Sequence, residues 1–247
     1  MPLVYSPRMA SATILTIGNE LVSGDVANTN AAWLARRLEA LGVSVDLMAA
    51  LPDEIDEIAE FVRHYAPRSD YLLVTGGLGG TPDDLTREAI AAAFEVGQEE
   101  VRELAATLRG RFPWDPEYAA RWAALPSGSR PLENPLGGAP GFALENVYVL
   151  PGLPAEMEAM FLTIEDDLRA ERPIGSWRRR YRTGESRIVA VLVEAGERFP
   201  EVLVGSYPSF SGGSSEVEVV VKSSDPVELG AAVAWIEGAL EAATTEA

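Results

Sequence analysis

The residues best suited to chemistry lie in one run, Thr75-Gly76-Gly77-Leu78-Gly79-Gly80-Thr81-Pro82-Asp83-Asp84-Leu85-Thr86, which follows a short apolar stretch at 72–74. Glycine takes positive φ without strain and lets a ligand approach the backbone closely, so the loop is shaped to touch something. Thr81 has the type of a helix N-cap, Pro82 suits the first helical position, and Asp84 falls three residues beyond the cap. The sequence therefore predicts a helix that opens at 81–82. Its free amides and positive dipole end, beside the amides of Gly76, Gly77, Leu78, Gly79, Gly80 and Thr81, make an anion site suited to phosphate. Two carboxylates beside a phosphate repel it unless a cation lies between them, which points to a divalent ion such as Mg²⁺ on Asp84. The plainer alternative is that the acids only complement the helix dipole, worth about 0.3–1 kcal/mol each. That alternative is adopted for Asp83 and the metal for Asp84.

The elements that must position this run alternate strand and helix. Residues 13–17 form a buried-strand run that ends in a polar loop, 18–25, too long for a plain turn. Asn28-Thr29-Asn30 then caps a helix whose Ala31, Leu34, Leu38 and Leu41 share a face and which stops at Gly42. Residues 43–47 read as the next strand, and Asp53 as the cap of a helix with Ile55, Ile58, Ala59, Val62 and Tyr65 at helical spacing. Three such alternations predict an α/β fold in three layers, a mostly parallel sheet with helices on both faces and a ligand crevice at the strands' carboxyl ends. The loops 18–25 and 76–84 both belong to that edge.

Further along, Val101, Leu104, Ala105 and Leu108 mark a helix, and Asp115-Pro116 starts another that carries Tyr118, Trp122 and Leu125. The charge-poor loop 134–142, with Asn134, Gly138 and Pro140, is able to lie flat against a ring, although its composition alone favours a structural Ω-loop. A strand at 147–150 leads into a helix whose Met157, Met160, Phe161, Ile164 and Leu168 read as core. Pattern and composition change across 171–182, where Pro173 and Gly175 precede Arg178, Arg179, Arg180 and Arg182. The division is set at 1–172 and 173–247, with the arginines expected to pair with carboxylates across the junction. Apolar runs at 188–193, 202–204 and 217–221 read as strands, and Leu229, Val233, Ile236 and Leu240 as one helix face, which makes the second unit a small α+β domain.

Composition narrows the function classes. The 247 residues are 47% hydrophobic, enough for a core, and contain no cysteine, which excludes disulfides, thiolate catalysis and zinc-thiolate sites. The single histidine, His64, sits beside Arg63 on the polar side of its helix and is given no role. A formal charge of −18 disfavours a nucleic-acid surface. No eighteen uncharged apolar residues run together, so neither a leader nor a membrane span is predicted and the protein is expected to be cytoplasmic.

The run 75–86 resembles the glycine loop of the MoaB/MogA molybdopterin-binding family in its CinA-type branch, which usually has Pro where this chain has Gly80, a change expected to loosen the loop. Gly18-Asn19-Glu20, Asn28 with Asn30, Pro52-Asp53, Asn134 with Ala139-Pro140-Gly141-Phe142, and Leu150-Pro151-Gly152-Leu153-Pro154-Ala155-Glu156-Met157 follow in the order seen in that branch. Gly205-Ser206-Tyr207-Pro208 resembles its second module. The amidase-like third module of full-length CinA proteins would need far more chain, so no amidase activity is carried over.

The resemblance implies a small-molecule nucleotide or pterin as ligand, with Gly18, Asn19, Asn30, Asn134, Gly138 and Pro140 joining the glycine loop around it, and a homo-oligomer, with a dimer favoured. Three functions follow. The leading one is metal-dependent hydrolysis of a nucleotide pyrophosphate such as ADP-ribose, with Asp84 and Glu20 catalytic and the ion held by Asp84 and Asp25. The second is molybdopterin binding or adenylylation in molybdenum cofactor metabolism. The third is a nucleotide- or pterin-binding module without turnover.

Lys222 is the only lysine. An acid excess with so little lysine fits a surface adapted to a salty cytoplasm, where salt screens carboxylate repulsion, and also an acidic protein of a GC-rich mesophile. A melting curve from low to molar KCl separates the two. The salt-adapted reading expects unfolding or aggregation on dilution, and full stability in dilute buffer rejects it.

Overall fold

The structure, a computed structural model, describes residues 10–169, 174–211 and 214–245. It falls into two compact units, Met1–Ala170 and Glu171–Ala247. The point at 172–173 where the sequence places the boundary lies outside the described residues.

In the first unit β1 (Ser11–Ile17), α1 (Asn19–Ser23), α2 (Thr29–Ala40), β2 (Ser44–Leu51), α3 (Ile55–Tyr65), β3 (Tyr71–Thr75) and α4 (Thr86–Ala93) follow one another. Then come β4 (Gln98–Glu100), α5 (Arg102–Arg111), α6 (Pro116–Ala120), β5 (Ala124–Pro126), β6 (Arg130–Leu132), β7 (Gly141–Leu144), β8 (Val147–Leu150) and α7 (Pro154–Leu168). The main sheet has the order β2-β1-β3-β8-β7-β6; β2, β1, β3 and β8 are parallel, and β7 and β6 run antiparallel at one end. β4 and β5 form a separate antiparallel pair.

Every residue of β1 is buried, because side chains of successive strand residues point to opposite faces and both faces are covered. Ile14 and Leu73 join Leu34 and Leu38 of α2 and Met157, Met160, Phe161, Ile164 and Leu168 of α7 in one core layer. Leu15, Leu72 and Val74 face the other way, onto Ile58 and Val62 of α3 and Ala89 and Ile90 of α4. Several polar groups that this burial strands are paired. Asn146 Nδ2 donates to the carbonyls of Ala66 and Ser69 at 2.8 and 2.9 Å, and the Ser11 amide to Asp70 Oδ2 at 2.8 Å.

The second unit is α+β. It comprises β9 (Gly175–Tyr181), α8 (Val189–Arg198), β10 (Leu203–Ser211), β11 (Ser214–Ser223) and α9 (Pro226–Thr245), with the antiparallel order β10-β11-β9. Val217, Val219 and Val221 pack with Ala232, Ile236 and Leu240 of α9.

Three sequence readings fail here. The helix that Asp115-Pro116 starts carries Tyr118 but ends at Ala120, so Trp122 lies beyond it and Leu125 is on β5. Residues 188–193 are not a strand; they begin α8. Ile188, Leu192 and Ala195 recur at helical spacing and pack into the core, and the β-branched Val189 and Val193 that suggested a strand are exposed. Among the described residues, the ion pairs of Arg179, Arg180 and Arg182 are made within the second unit. The cluster lies on and just after β9, with Arg179 paired to Glu237 and Glu241, Arg180 to Glu218, and Arg182 to Glu216. All four contacts are solvent-exposed and worth little individually.

The carboxyl ends of β1, β3 and β8 meet where only glycine fits. Gly76 has φ +109°, and a β-carbon on it would stand 2.1 Å from the Ile17 carbonyl oxygen. Gly24 also has positive φ, +83°, but faces open space. Gly24→Ala is therefore expected to cost about 1 kcal/mol, the left-handed penalty alone, and Gly76→Ala at least about 2 kcal/mol more, because backbone must move. Urea denaturation of both variants checks this, and equal midpoints would reject the crowding argument.

Candidate functional site

A cavity of about 510 Å³ opens at the carboxyl edge of the sheet. Ile17 and Gly18 after β1, the glycine loop after β3, and Pro151 and Gly152 after β8 form its floor. In strand order the chain passes from β1 to β2 on one side and to β3 on the other, so the cavity sits at a switch point, where open α/β sheets bind ligands.

The loop is folded by three side chains from its own downstream end. Thr86 Oγ1 donates to the Gly76 carbonyl at 2.8 Å and the Thr86 amide to the Gly77 carbonyl at 3.2 Å. Arg87 donates from Nη1 to the Leu78 carbonyl at 2.8 Å and from Nη2 to the Gly79 carbonyl at 2.7 Å. Asp84 accepts from the amides of Gly79 and Thr81, both at 2.8 Å, and from the Thr81 hydroxyl. Among the described residues the amides of Gly77, Leu78 and Gly80 donate to no protein acceptor.

This corrects the expected helix start. α4 opens at Thr86, with Leu85 at its N-cap and no side-chain cap. Residues 81–84 form a turn closed by the Asp84 amide on the Thr81 carbonyl at 3.1 Å. Proline is favoured at the second position of a turn as well as the first of a helix, so Thr81-Pro82-Asp83-Asp84 satisfied both patterns. The positive end near the loop is a side chain rather than a helix terminus. Arg87 is only 6% exposed, and burial lowers its pKa, partly opposed by Glu88, Asp84 and Tyr118.

Gly80 is not a slack point. A β-carbon there would stand 2.3 Å from the Tyr118 ring, so Tyr118 fills that space and Asp84 ties the residues on either side. The loop 18–25 also differs from expectation, since 19–23 coil into α1.

Of the residues singled out from the sequence, Gly18, Glu20, Gly76, Gly77, Leu78, Gly79, Asp84 and Gly138 line the cavity. Asn30 lines an adjoining recess. Asn134 and Pro140 line a separate cavity of about 320 Å³ that abuts the first at Gly138. Gly80 and Thr81 are not among the residues that line the cavity. Asn19 acts through its amide, which donates to Asp53 Oδ2 at 3.0 Å. Asp25 lines neither the cavity nor the recess; its carboxylate accepts from Ser23 Oγ at 2.7 Å.

Three residues were missed. Arg87 is one; its signal was a charged residue at a position that helical spacing sets against the core. Asp53 is another. Glu54, not Asp53, is the N-cap of α3, and Asp53 instead lines the cavity. Burial raises its pKa, the Asn19 amide opposes this, and Glu20, Asp83 and Asp84 add to it. Glu156 also lines the cavity, held by Asn134 Nδ2 at 2.9 Å. Among the described residues no three Asp, Glu, His or Cys side chains converge to hold a metal ion.

The family described as "Probable molybdopterin binding domain" matches residues 13–170, and that described as "FAD synthase, middle domain" matches 180–247. The chain belongs to this molybdopterin-binding-domain family, the MoaB/MogA family. Its relatives include a CinA-like protein of Frankia casuarinae, 37% identical over 94% of this chain, and the chain spans 58% of that protein's length. A protein of Archaeoglobus fulgidus is 39% identical over 82% of this chain and 91% of its own length. The crystal structure of a CinA protein of unknown function from Thermoplasma acidophilum is 33% identical, with a TM-score of 0.61, over 65% of this chain and 99% of that one. Among the described residues no helix is long and apolar enough to cross a membrane.

Asp53 gives the site a pH signature. Its proton is held more tightly in the folded than in the unfolded chain, so its unfavourable contribution is present in full above the folded pKa and is relieved as pH falls through it. Asp53→Asn keeps an acceptor for the Asn19 amide and removes the charge. In denaturation curves between about pH 4 and 7, the wild type is expected to lose stability relative to this variant as pH rises. Parallel curves would reject the raised pKa.

Proposed function

We propose that the cavity takes a phosphorylated heterocycle, with phosphate on the amides of Gly77 and Leu78, and that it hydrolyses a nucleotide pyrophosphate such as ADP-ribose. The observation that carries the phosphate is the glycine loop itself, its carbonyls turned away onto Thr86 and a buried Arg87, and the amides of Gly77 and Leu78 at the cavity without a protein acceptor among the described residues. Hydrolysis is supported by the carboxylates at the same cavity. Asp53, with its raised pKa, suits a general base. In the reaction, water adds to one phosphorus, its proton passes to Asp53, and the bridging oxygen leaves on the other phosphate.

A divalent ion in this reading is not caged by protein alone, and both oxygens of Asp84 are engaged by the loop. Glu20, Asp53 and Asp83 also line the cavity, and an ion such as Mg²⁺ commonly takes one or two carboxylates together with ligand phosphates. Bound there, it would supply charge neutralisation at the pyrophosphate. Asp25 has no part in this arrangement.

The second reading is pterin binding or adenylylation. The family's description supports it, as does an apolar wall of Val26, Trp122, Leu153 and Pro154 at the cavity.

Thermal shift with ADP-ribose, FAD, NAD and pterins, with and without Mg²⁺, followed by product analysis, tests both. Hydrolysis expects AMP and ribose 5-phosphate from ADP-ribose only with metal, and a loss of turnover of at least about a hundredfold in Asp53→Asn with ADP-ribose affinity kept. Pterin binding with no product from ADP-ribose transfers the site to the second reading.

A further inference from the structure

The second cavity, of about 320 Å³, meets the main one at Gly138, and both belong to the first unit. Val101, Leu104 and Leu108, at the start of α5 and along it, supply apolar lining, and Pro131, Leu132 and Pro140 supply more from the segment 131–140. Three charged residues line it as well, Glu103, Glu133 and Arg111. Arg111 makes no ion pair among the described residues, whereas Arg109, just before it, pairs with Glu100 and Glu117. Its Nη1 stands 3.3 Å from where a β-carbon on Gly137 would be, and Gly137 has φ +86°. The guanidinium thus rests on the loop 134–142, beside the seam between the cavities.

The seam has a defined chemistry. A β-carbon on Gly138 would run into the carboxylate of Glu156, which lines the main cavity. Asn134, 3% exposed, fixes that carboxylate: its Nδ2 donates to Glu156 Oε2 at 2.9 Å and to the Ala139 carbonyl at 3.0 Å, and its Oδ1 takes the Leu136 amide at 3.0 Å. A group that crosses Gly138 therefore passes a fixed acceptor that repels phosphate and suits hydroxyls. Beyond it, two carboxylates against one guanidinium also disfavour a phosphate in the second cavity. Its apolar lining suits a neutral ring, on which an arginine stacks. The volume is at the lower end of the roughly 300–1,000 Å³ of ligand pockets, enough for part of a ligand.

We infer that the second cavity is a base subsite: it takes the neutral heterocycle of a nucleotide whose ribose hydroxyls cross Gly138 beside Glu156 and whose phosphate rests on the glycine loop, with Arg111 a specificity-determining residue against the ring. The inference rests on the proposed ligand class and adds to it that ring and phosphate occupy different cavities. A pterin phosphate has no ribose to span the seam. The apolar wall of the main cavity is then left for the other half of a dinucleotide.

Calorimetry on the whole chain with no metal added tests it, measuring ADP-ribose directly and AMP and ribose 5-phosphate by their displacement of it. The last two differ by the adenine alone, and AMP is expected to bind at least about tenfold more tightly. Thr107 lines the second cavity from the exposed side of α5, and its hydroxyl donates only to the Glu103 carbonyl one turn back, at 3.0 Å. Thr107→Trp therefore fills the cavity without removing a tertiary hydrogen bond. In that variant the preference for AMP is expected to shrink to within about twofold, with ribose 5-phosphate bound as in the wild type, and Arg111→Ala is expected to lower the preference in the same direction. A preference kept in full by Thr107→Trp overturns the base subsite and puts the ring in the main cavity against Trp122; one kept in full by Arg111→Ala overturns the role of Arg111. Equal displacement by AMP and ribose 5-phosphate in the wild type, or none by either, overturns the inference and leaves ADP-ribose as a ligand. Absence of ADP-ribose binding removes the nucleotide reading and the inference with it.

Discussion

The site depends on one buried charge. Arg87 is taken almost wholly out of water with no carboxylate in ion-pair contact among the described residues, and its guanidinium is satisfied by the carbonyls of Leu78 and Gly79. A buried cation is stable only if its desolvation is offset by good hydrogen bonds, so the loop is obliged to present those carbonyls inward. Thr86 takes the carbonyls of Gly76 and Gly77 in the same way, which leaves the amides of Gly77 and Leu78 turned the other way, while Asp84 binds that of Gly79. The conformation of the loop and the positive potential behind it therefore come from Thr86, Arg87 and Asp84 together, and neither needs a helix terminus. Negative groups crowd the same cavity, at Glu20, Asp53, Asp83, Asp84 and Glu156. Arg87 and the free amides are what allow an anion to sit among them.

The sheet makes that arrangement possible by bringing three strand ends together without side chains between them. Gly76 rests against the Ile17 carbonyl, and a β-carbon on Gly152 would stand 3.2 Å from the Gly76 Cα. β1 and β3 are buried on both faces and leave no slack through which this contact could open. The cavity is thus cut into a rigid edge. What remains adaptable is the surrounding set of loops, each tied by one polar side chain: Asp53 to the amide of Asn19, Asn134 to Glu156, and Asp84 to the amides of Gly79 and Thr81.

Much of this was legible in the sequence where a single pattern had a single meaning. Apolar runs bounded by glycine located β1 and β3, the spacing of Ala31, Leu34 and Leu38 located α2, and Met157 to Leu168 proved to be core. Errors fell where one pattern serves two structures. Thr81-Pro82-Asp83-Asp84 suits a helix start and a turn, and the turn prevailed because Asp84 satisfies two loop amides at once. Residues 188–193 suit a strand by residue type and a helix by the spacing of Ile188, Leu192 and Ala195, and burial of that spacing prevailed. Asp53 was read as a cap because caps are local, whereas its partner is 34 residues away. Arg87 gave only the signal of a charge on a face that helical spacing sets against the core, and nothing along the chain says that its side chain turns back beneath the preceding loop.

The position of Asp84 changes how the acids divide their work. As a loop clip it holds three donors with two oxygens, and a carboxylate so occupied binds an ion only by giving up bonds that shape the phosphate site. Asp53 carries the opposite balance. It accepts one amide, from Asn19, and its own pKa is raised by burial and by neighbouring acids. A group held in place with lone pairs to spare and a raised proton affinity is the better acceptor for a proton or partner for a cation. The two aspartates that flank the same cavity are thereby set apart by environment alone: one fixes the loop, and the other is left able to react.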